Sequence, residues 1–129
     1  MNQRGFTVIE LLALSVILIL VGVTFWIQKN NLETAARDDK RKISVNALYY
    51  GLEEVYYPTN KYYPKSLSPT TLPSVDSKLF KDPNGVQIGK SEADLRYEGK
   101  NCSGEACKSY ELRAELENEA DVIKTSRNK

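Results

Sequence analysis

At 129 residues the chain has room for one modest domain with an extension. Eighteen Lys and Arg against 17 Asp and Glu leave a formal charge of +1, not the clustered basic surplus of a dedicated nucleic-acid binder. Histidine is absent and there are two cysteines, so the commonest general base is missing and a structural zinc site is out of reach.

Residues 1–5, MNQRG, form a short polar leader bearing Arg4. Residues 6–27, FTVIELLALSVILILVGVTFWI, carry one charge, Glu10. As a helix this run is about 33 Å long, against roughly 30 Å for the hydrocarbon core of a bilayer. The rest of the chain holds too little apolar surface to wrap all sides of such a helix in a soluble core. A secretory signal would have a shorter apolar stretch and a small-residue cleavage site. Here QKNNLE follows Ile27, so the segment is expected to stay in the mature protein.

Residues 28–57 turn polar but keep helix-forming character, with Gly51 as their one glycine and Pro58 as the first proline beyond them. Leu32, Ala35, Ala36, Ile43, Ala47, Leu48, Leu52 and Val55 recur near a 3.6-residue period. Arg37, Asp38, Lys40, Arg41, Glu53 and Glu54 fill the other positions, and Asp39 interrupts the stripe. The pattern predicts one helix from Phe6 to Tyr57, apolar all round in its first half and amphipathic in its second. Gly22 is where it would loosen.

Residues 58–129 are dense in turn signals, from Pro58 through Pro83-Asn84-Gly85 to Gly104. Strands are predicted at Val86–Gly89, Leu95–Glu98 and Tyr110–Glu117. In the last, Tyr110, Leu112, Ala114 and Leu116 alternate with charged residues. Val122 and Ile123 extend that strand or pack as a tail. An antiparallel sheet laid against the amphipathic half-helix buries both apolar faces, which makes the expected class α+β.

Cys102 and Cys107 enclose Ser-Gly-Glu-Ala beside Gly104, a spacing that suits a disulfide across a turn, two free thiols being the alternative. A disulfide puts this domain outside the cytoplasm. The positive-inside rule pulls the other way, since Lys29, Arg37, Lys40, Arg41 and Lys42 follow the span. Asp38 and Asp39 among those cations, and the cysteines, outweigh it. Three Tyr-Tyr pairs from Tyr49 to Tyr63, near Lys61 and Lys65, have the makings of a single-strand nucleic-acid platform. Filling of the helix–sheet junction is the favoured role, and a nucleic-acid partner stays open. No nucleophile–base pair stands out, so an enzyme is not expected.

The order leader, Gly5, Phe6, Glu10, long apolar run resembles the processing signature of type IV pilins and pseudopilins. The resemblance implies cleavage between Gly5 and Phe6 by a prepilin peptidase, N-methylation of Phe6, and a long helix carrying a small sheet-bearing head. It also implies a homo-oligomeric helical filament at the cell surface, drawn from a membrane-anchored precursor whose head lies outside the cytoplasm. Cleavage would leave an amine on Phe6 that titrates near 7.7–8.0, four residues from Glu10 and on the same helix face. Pairing within one chain is possible; the resemblance implies pairing of Glu10 with a neighbour's amine, setting register. Exchange of lipid for neighbouring helices is nearly neutral, and the chain lacks a phosphate loop. An assembly ATPase and a platform protein are therefore implied partners. Lys81-Asp82-Pro83-Asn84-Gly85 resembles a turn of the major pseudopilins of type II secretion, some of which bind calcium nearby. Asp76, Asp82 and Asn84 are the candidate ligands, although an ordinary turn is the plainer reading and no other cofactor is expected. A pseudopilin of a secretion or DNA-uptake system, and a singly anchored extracellular binding module that forms no fibre, are the alternative functions.

Overall fold

Helix formers run unbroken from Val8, and in the computed structural model, which describes residues 6–128, they wind α1 over Val8–Tyr50. Gly22 causes no break. The irregularity comes instead at Gly51, where residues Gly51–Tyr56 widen into a π-helical turn. A short α2, Tyr57–Asn60, follows and ends at Lys61 in the left-handed region, φ 64°. Pro58 sits in the first turn of α2, where its missing N–H breaks no helical bond, so winding passes beyond Tyr57. Gly51 also lets a loop come close. A Cβ there would stand 2.6 Å from Val75 Cγ2 and 3.0 Å from Leu72 Cδ2.

The chain divides into two compact units between Thr34 and Ala35. In the first, every described residue before Thr34 is exposed. The second is the head. Four antiparallel strands build its sheet: β1 Tyr63–Pro64, β2 Leu95–Ser103, β3 Ala106–Ala114 and β4 Val122–Thr125. β3 is central, with β2 along one side and both β1 and β4 on the other, at opposite ends. The expected alternation holds through Tyr110, Leu112 and Ala114, all buried, but β3 stops at Ala114 rather than Glu117. Val122 and Ile123 form a separate strand, paired back on Ala114 and Arg113. Val86–Gly89 is not a strand. Asp82 and Val86 close a tight turn through Asp82 N–H to Val86 O, 2.9 Å, and Val86 N–H to Asp82 Oδ1, 2.8 Å, so only Gln87 bridges, to Lys81.

The head's core joins Val45, Leu48 and Leu52 of the helical segment to Leu95, Tyr110, Leu112 and Ala114 of the sheet. Leu67, Leu72, Phe80 and Ile88 of the intervening loop close it. At about 25 cal/mol per Å² of apolar surface removed from water, burial of each such side chain stabilises by ~1.5–3 kcal/mol.

The buried face of the helix differs from the expected stripe. Ile43 and Val55 are exposed, whereas Asp38, Arg41 and Glu53 are buried. Charge can go inward here because each group finds partners. The Arg41 guanidinium donates to Asp38 Oδ1 at 2.8 Å, Glu117 Oε1 at 2.8 Å and Asp94 Oδ2 at 2.7 Å. Asp38 also accepts the main-chain N–H groups of Glu117 and Asn118, at 2.9 and 3.0 Å. Glu53 accepts the hydroxyls of Tyr63 and Tyr110, and the Arg127 main-chain N–H at 3.2 Å. Buried carboxylates held this way replace water's hydrogen bonds rather than forfeit them.

These contacts make the head acid-sensitive. Arg37 first, then Arg41, hold the Glu117 carboxyl down to about 2. Burial pushes Asp38 up, but the Glu117 and Asn118 N–H groups and Arg41 outweigh it and the net shift is downward. A lowered carboxylate contributes stability that is complete above its unfolded value and is lost as pH falls toward the folded one. The melting temperature of the head is therefore expected to be flat above about pH 5 and to drop from there toward pH 2. Glu117→Gln should flatten that drop when unfolding is followed by circular dichroism.

Candidate functional site

The first turn of α1 carries the most distinctive polar chemistry of the apolar segment. Thr7 is the N-cap residue, its carbonyl accepting the Leu11 N–H at 3.2 Å. Its hydroxyl accepts the Glu10 N–H at 3.4 Å. In return the Thr7 N–H and hydroxyl donate to Glu10 Oε2, at 2.8 and 3.0 Å. This reciprocal pair is a capping box, which satisfies donors at the helix start that the helix itself leaves open. The Thr7-x-x-Glu10 spacing was visible in the sequence, where Glu10 was read only as a partner for an amine. Both side-chain bonds converge on Oε2, so Oε1 has no partner among the described residues. Glu10 can cap its own helix and still accept a bond from outside.

Along the rest of the run the polar side chains turn inward on the backbone. Ser15 donates to the Leu12 carbonyl at 2.7 Å, and Thr24 to the Leu20 and Val21 carbonyls at 3.1 and 2.9 Å. Hydroxyls bonded within their own helix suit a medium that offers no water. An 18-residue window here has a mean hydropathy of 2.7 and none of it is buried. This helix is long and apolar enough to cross a membrane. Trp26 stands where the sequence turns polar, a position such indoles favour at a membrane–water boundary. Phe6, the first described residue, is exposed; Gly5, on the other side of the expected cleavage, lies outside the described residues.

The chain matches no protein-family model, no curated protein and no solved structure.

In the head, Cys102 and Cys107 form a disulfide between directly opposed positions of β2 and β3. Gly99 makes room for it, since a Cβ there would lie 2.7 Å from Cys107 Sγ and 3.2 Å from the Pro64 carbonyl. Gly104, at φ 66°, turns the hairpin between the two cysteines. A loop this short is expected to stabilise by about 2 kcal/mol on the chain-entropy account. Cys102→Ser/Cys107→Ser should lower the urea midpoint accordingly, and the oxidised protein should give no signal in a denaturing thiol assay.

Asp76, Asp82 and Asn84 are placed in turns. Asp76 Oδ1 caps the 3₁₀ turn Ser77–Phe80 through the Lys78 N–H, 2.9 Å. Asp82 accepts the Val86 and Asp94 N–H groups, and the Asn84 amide donates to Asp94 Oδ2 at 3.2 Å. The geometry explains these three side chains as turn formers. Among the described residues no group of three or more carboxylates, cysteines or histidines is arranged to hold a metal ion.

Sequence reasoning missed the buried cluster of Arg41 with Asp38, Asp94 and Glu117. Its members lie up to 79 residues apart along the chain, so spacing offered no signal.

Proposed function

We propose that this chain is the structural subunit of a type IV pilus or related filament, with a structural rather than catalytic role. It is made as a membrane-anchored precursor, cut after Gly5, methylated on Phe6 and assembled through its N-terminal helix, with the head outside the cytoplasm. One observation carries the reading. A helix exposed and apolar on all sides holds a single carboxylate, in its first turn, with one oxygen satisfied and the other free. An ionised carboxylate in hydrocarbon costs several kcal/mol unless paired. A cationic amine on Phe6 of a neighbouring copy is the partner that hides both charges at once and fixes the stagger between helices. The disulfide supports an oxidising location for the head.

Two measurements test this. Mass spectrometry of protein isolated from its native cells should find an N-terminus at methylated Phe6, and Gly5→Leu should leave the precursor uncut. Electron microscopy of sheared surface material should show fibres labelled by an antibody to the head. A pseudopilin would give the same N-terminus with few or no surface fibres; a tethered binding module would give an uncut chain and none.

A further inference from the structure

The head's positive charge is unevenly spent. All described arginines, with Lys29, Lys42 and Lys100, are engaged in ion pairs. Lys124 lies over the Tyr49 ring. By contrast Lys61, Lys65, Lys78, Lys81 and Lys90 are exposed, and none of them makes an ion pair among the described residues. The acids of the same stretch are Asp76 and Asp82, giving residues 61–90 a local charge of +3 in a chain of +1. Both aspartates are already committed to main-chain N–H groups.

Four of these lysines border a groove. One cleft, of about 320 Å³, lies between Lys65 and Ser66 on one side and Gln87 and Lys90 on the other, with Tyr97 in its wall. A second, of about 380 Å³, takes in Lys78 and Lys81, and Gln87 borders both. Tyr97 is held still: its hydroxyl donates to the Pro64 carbonyl at 2.6 Å and its ring stacks on Tyr110 at 5.5 Å. It offers the groove a fixed apolar surface and no donor. Gln87 and Ser66 supply amide and hydroxyl groups, which both donate and accept.

A ligand for this groove needs repeated negative charge, hydroxyls, and a compact ring to lie on Tyr97. Each cleft is at the small end of the usual 300–1,000 Å³, room for one or two rings. Single-stranded nucleic acid meets the charge requirement but wants free aromatic faces. All eight tyrosines are packed against another tyrosine ring. No described arginine is left to fork a phosphate. We propose that the groove binds an acidic polysaccharide, a carboxylated sugar ring resting on Tyr97 with its charge toward Lys65 and Lys90. The chain continues past Gln87 to Lys78 and Lys81. This uses the head alone and does not depend on whether the chain forms filaments.

The test titrates the full chain in detergent micelles, at low ionic strength, with a fluorescent hyaluronan oligosaccharide, followed by anisotropy. Saturable binding is expected, weakened about tenfold or more by Lys65→Glu/Lys90→Glu. Gln87→Ala should weaken it several-fold with charge unchanged. Lys40→Glu/Lys108→Glu reverses two exposed lysines away from the groove and should leave it intact. The four lysines are free of structural contacts, so unchanged thermal melting is expected for the groove variant. The proposal fails if no binding saturates, if the control pair weakens binding equally, or if an oligothymidylate displaces the sugar and binds more tightly.

Discussion

Glu10→Gln is expected to abolish filaments while leaving membrane insertion and the helix start intact. Glutamine serves at this position of a capping box, so its amide oxygen can still accept the Thr7 N–H that Glu10 Oε2 now accepts at 2.8 Å. Size and shape are kept; only the charge is gone. A neighbour's amine would then be buried without its counter-charge, a loss of about 3–5 kcal/mol per contact, or ~100-fold or more in the equilibrium for adding a subunit. Thr7→Ala is the complementary variant. It removes the cap at a cost of ~1 kcal/mol but keeps the carboxylate, so fibres should persist. Fibre counts after shearing, with the membrane fraction probed for the subunit, separate the two. Normal fibre yield from Glu10→Gln would reduce Glu10 to a helix cap and remove the assembly role.

Arg41→Ala is expected to be the most damaging single change in the head. The guanidinium is 2% exposed and touches three carboxylates that come from the helix, the loop before β2 and the segment after β3. Without it Asp38 stays buried with its charge uncompensated, and Asp94 and Glu117 lose the cation they share. Removing one partner of a buried ion cluster costs ~3–5 kcal/mol, a large part of the 5–15 kcal/mol that holds a typical domain together. Arg41→Lys should recover little, because an ammonium on a flexible stem cannot hold two acids with a planar fork. Denaturant midpoints of the full chain in detergent would measure this. A shift under about 1 kcal/mol would mean that the cluster contributes specificity of packing without net stability.

The parts legible in the sequence were those with long or strict periods. The apolar run before Gln28, the alternation at Tyr110, Leu112 and Ala114, and the short cysteine spacing each have one cheap physical solution. The helical stripe from Leu32 to Val55 misled because periodicity assigns charge to the outside. Arg41 and Asp38 break that rule with partners from Asp94 and Glu117, which the period cannot see. β1 has two residues and the 3₁₀ turn four, too short for any repeat to register. The first-turn cap was legible in Thr7 and Glu10 but was eclipsed by the more conspicuous role suggested for the same carboxylate.

The π-helical turn at Gly51–Tyr56 has a consequence for how this chain tolerates change in length. A turn of this kind holds one residue more than a regular helix would, so excising a single residue there should restore ordinary winding rather than break it. The penalty is angular. Everything on one side rotates by about 100° relative to the other, carrying Glu53 out of reach of the hydroxyls of Tyr63 and Tyr110. Indels of one residue, harmless in many surface loops, should be forbidden at this point of the chain.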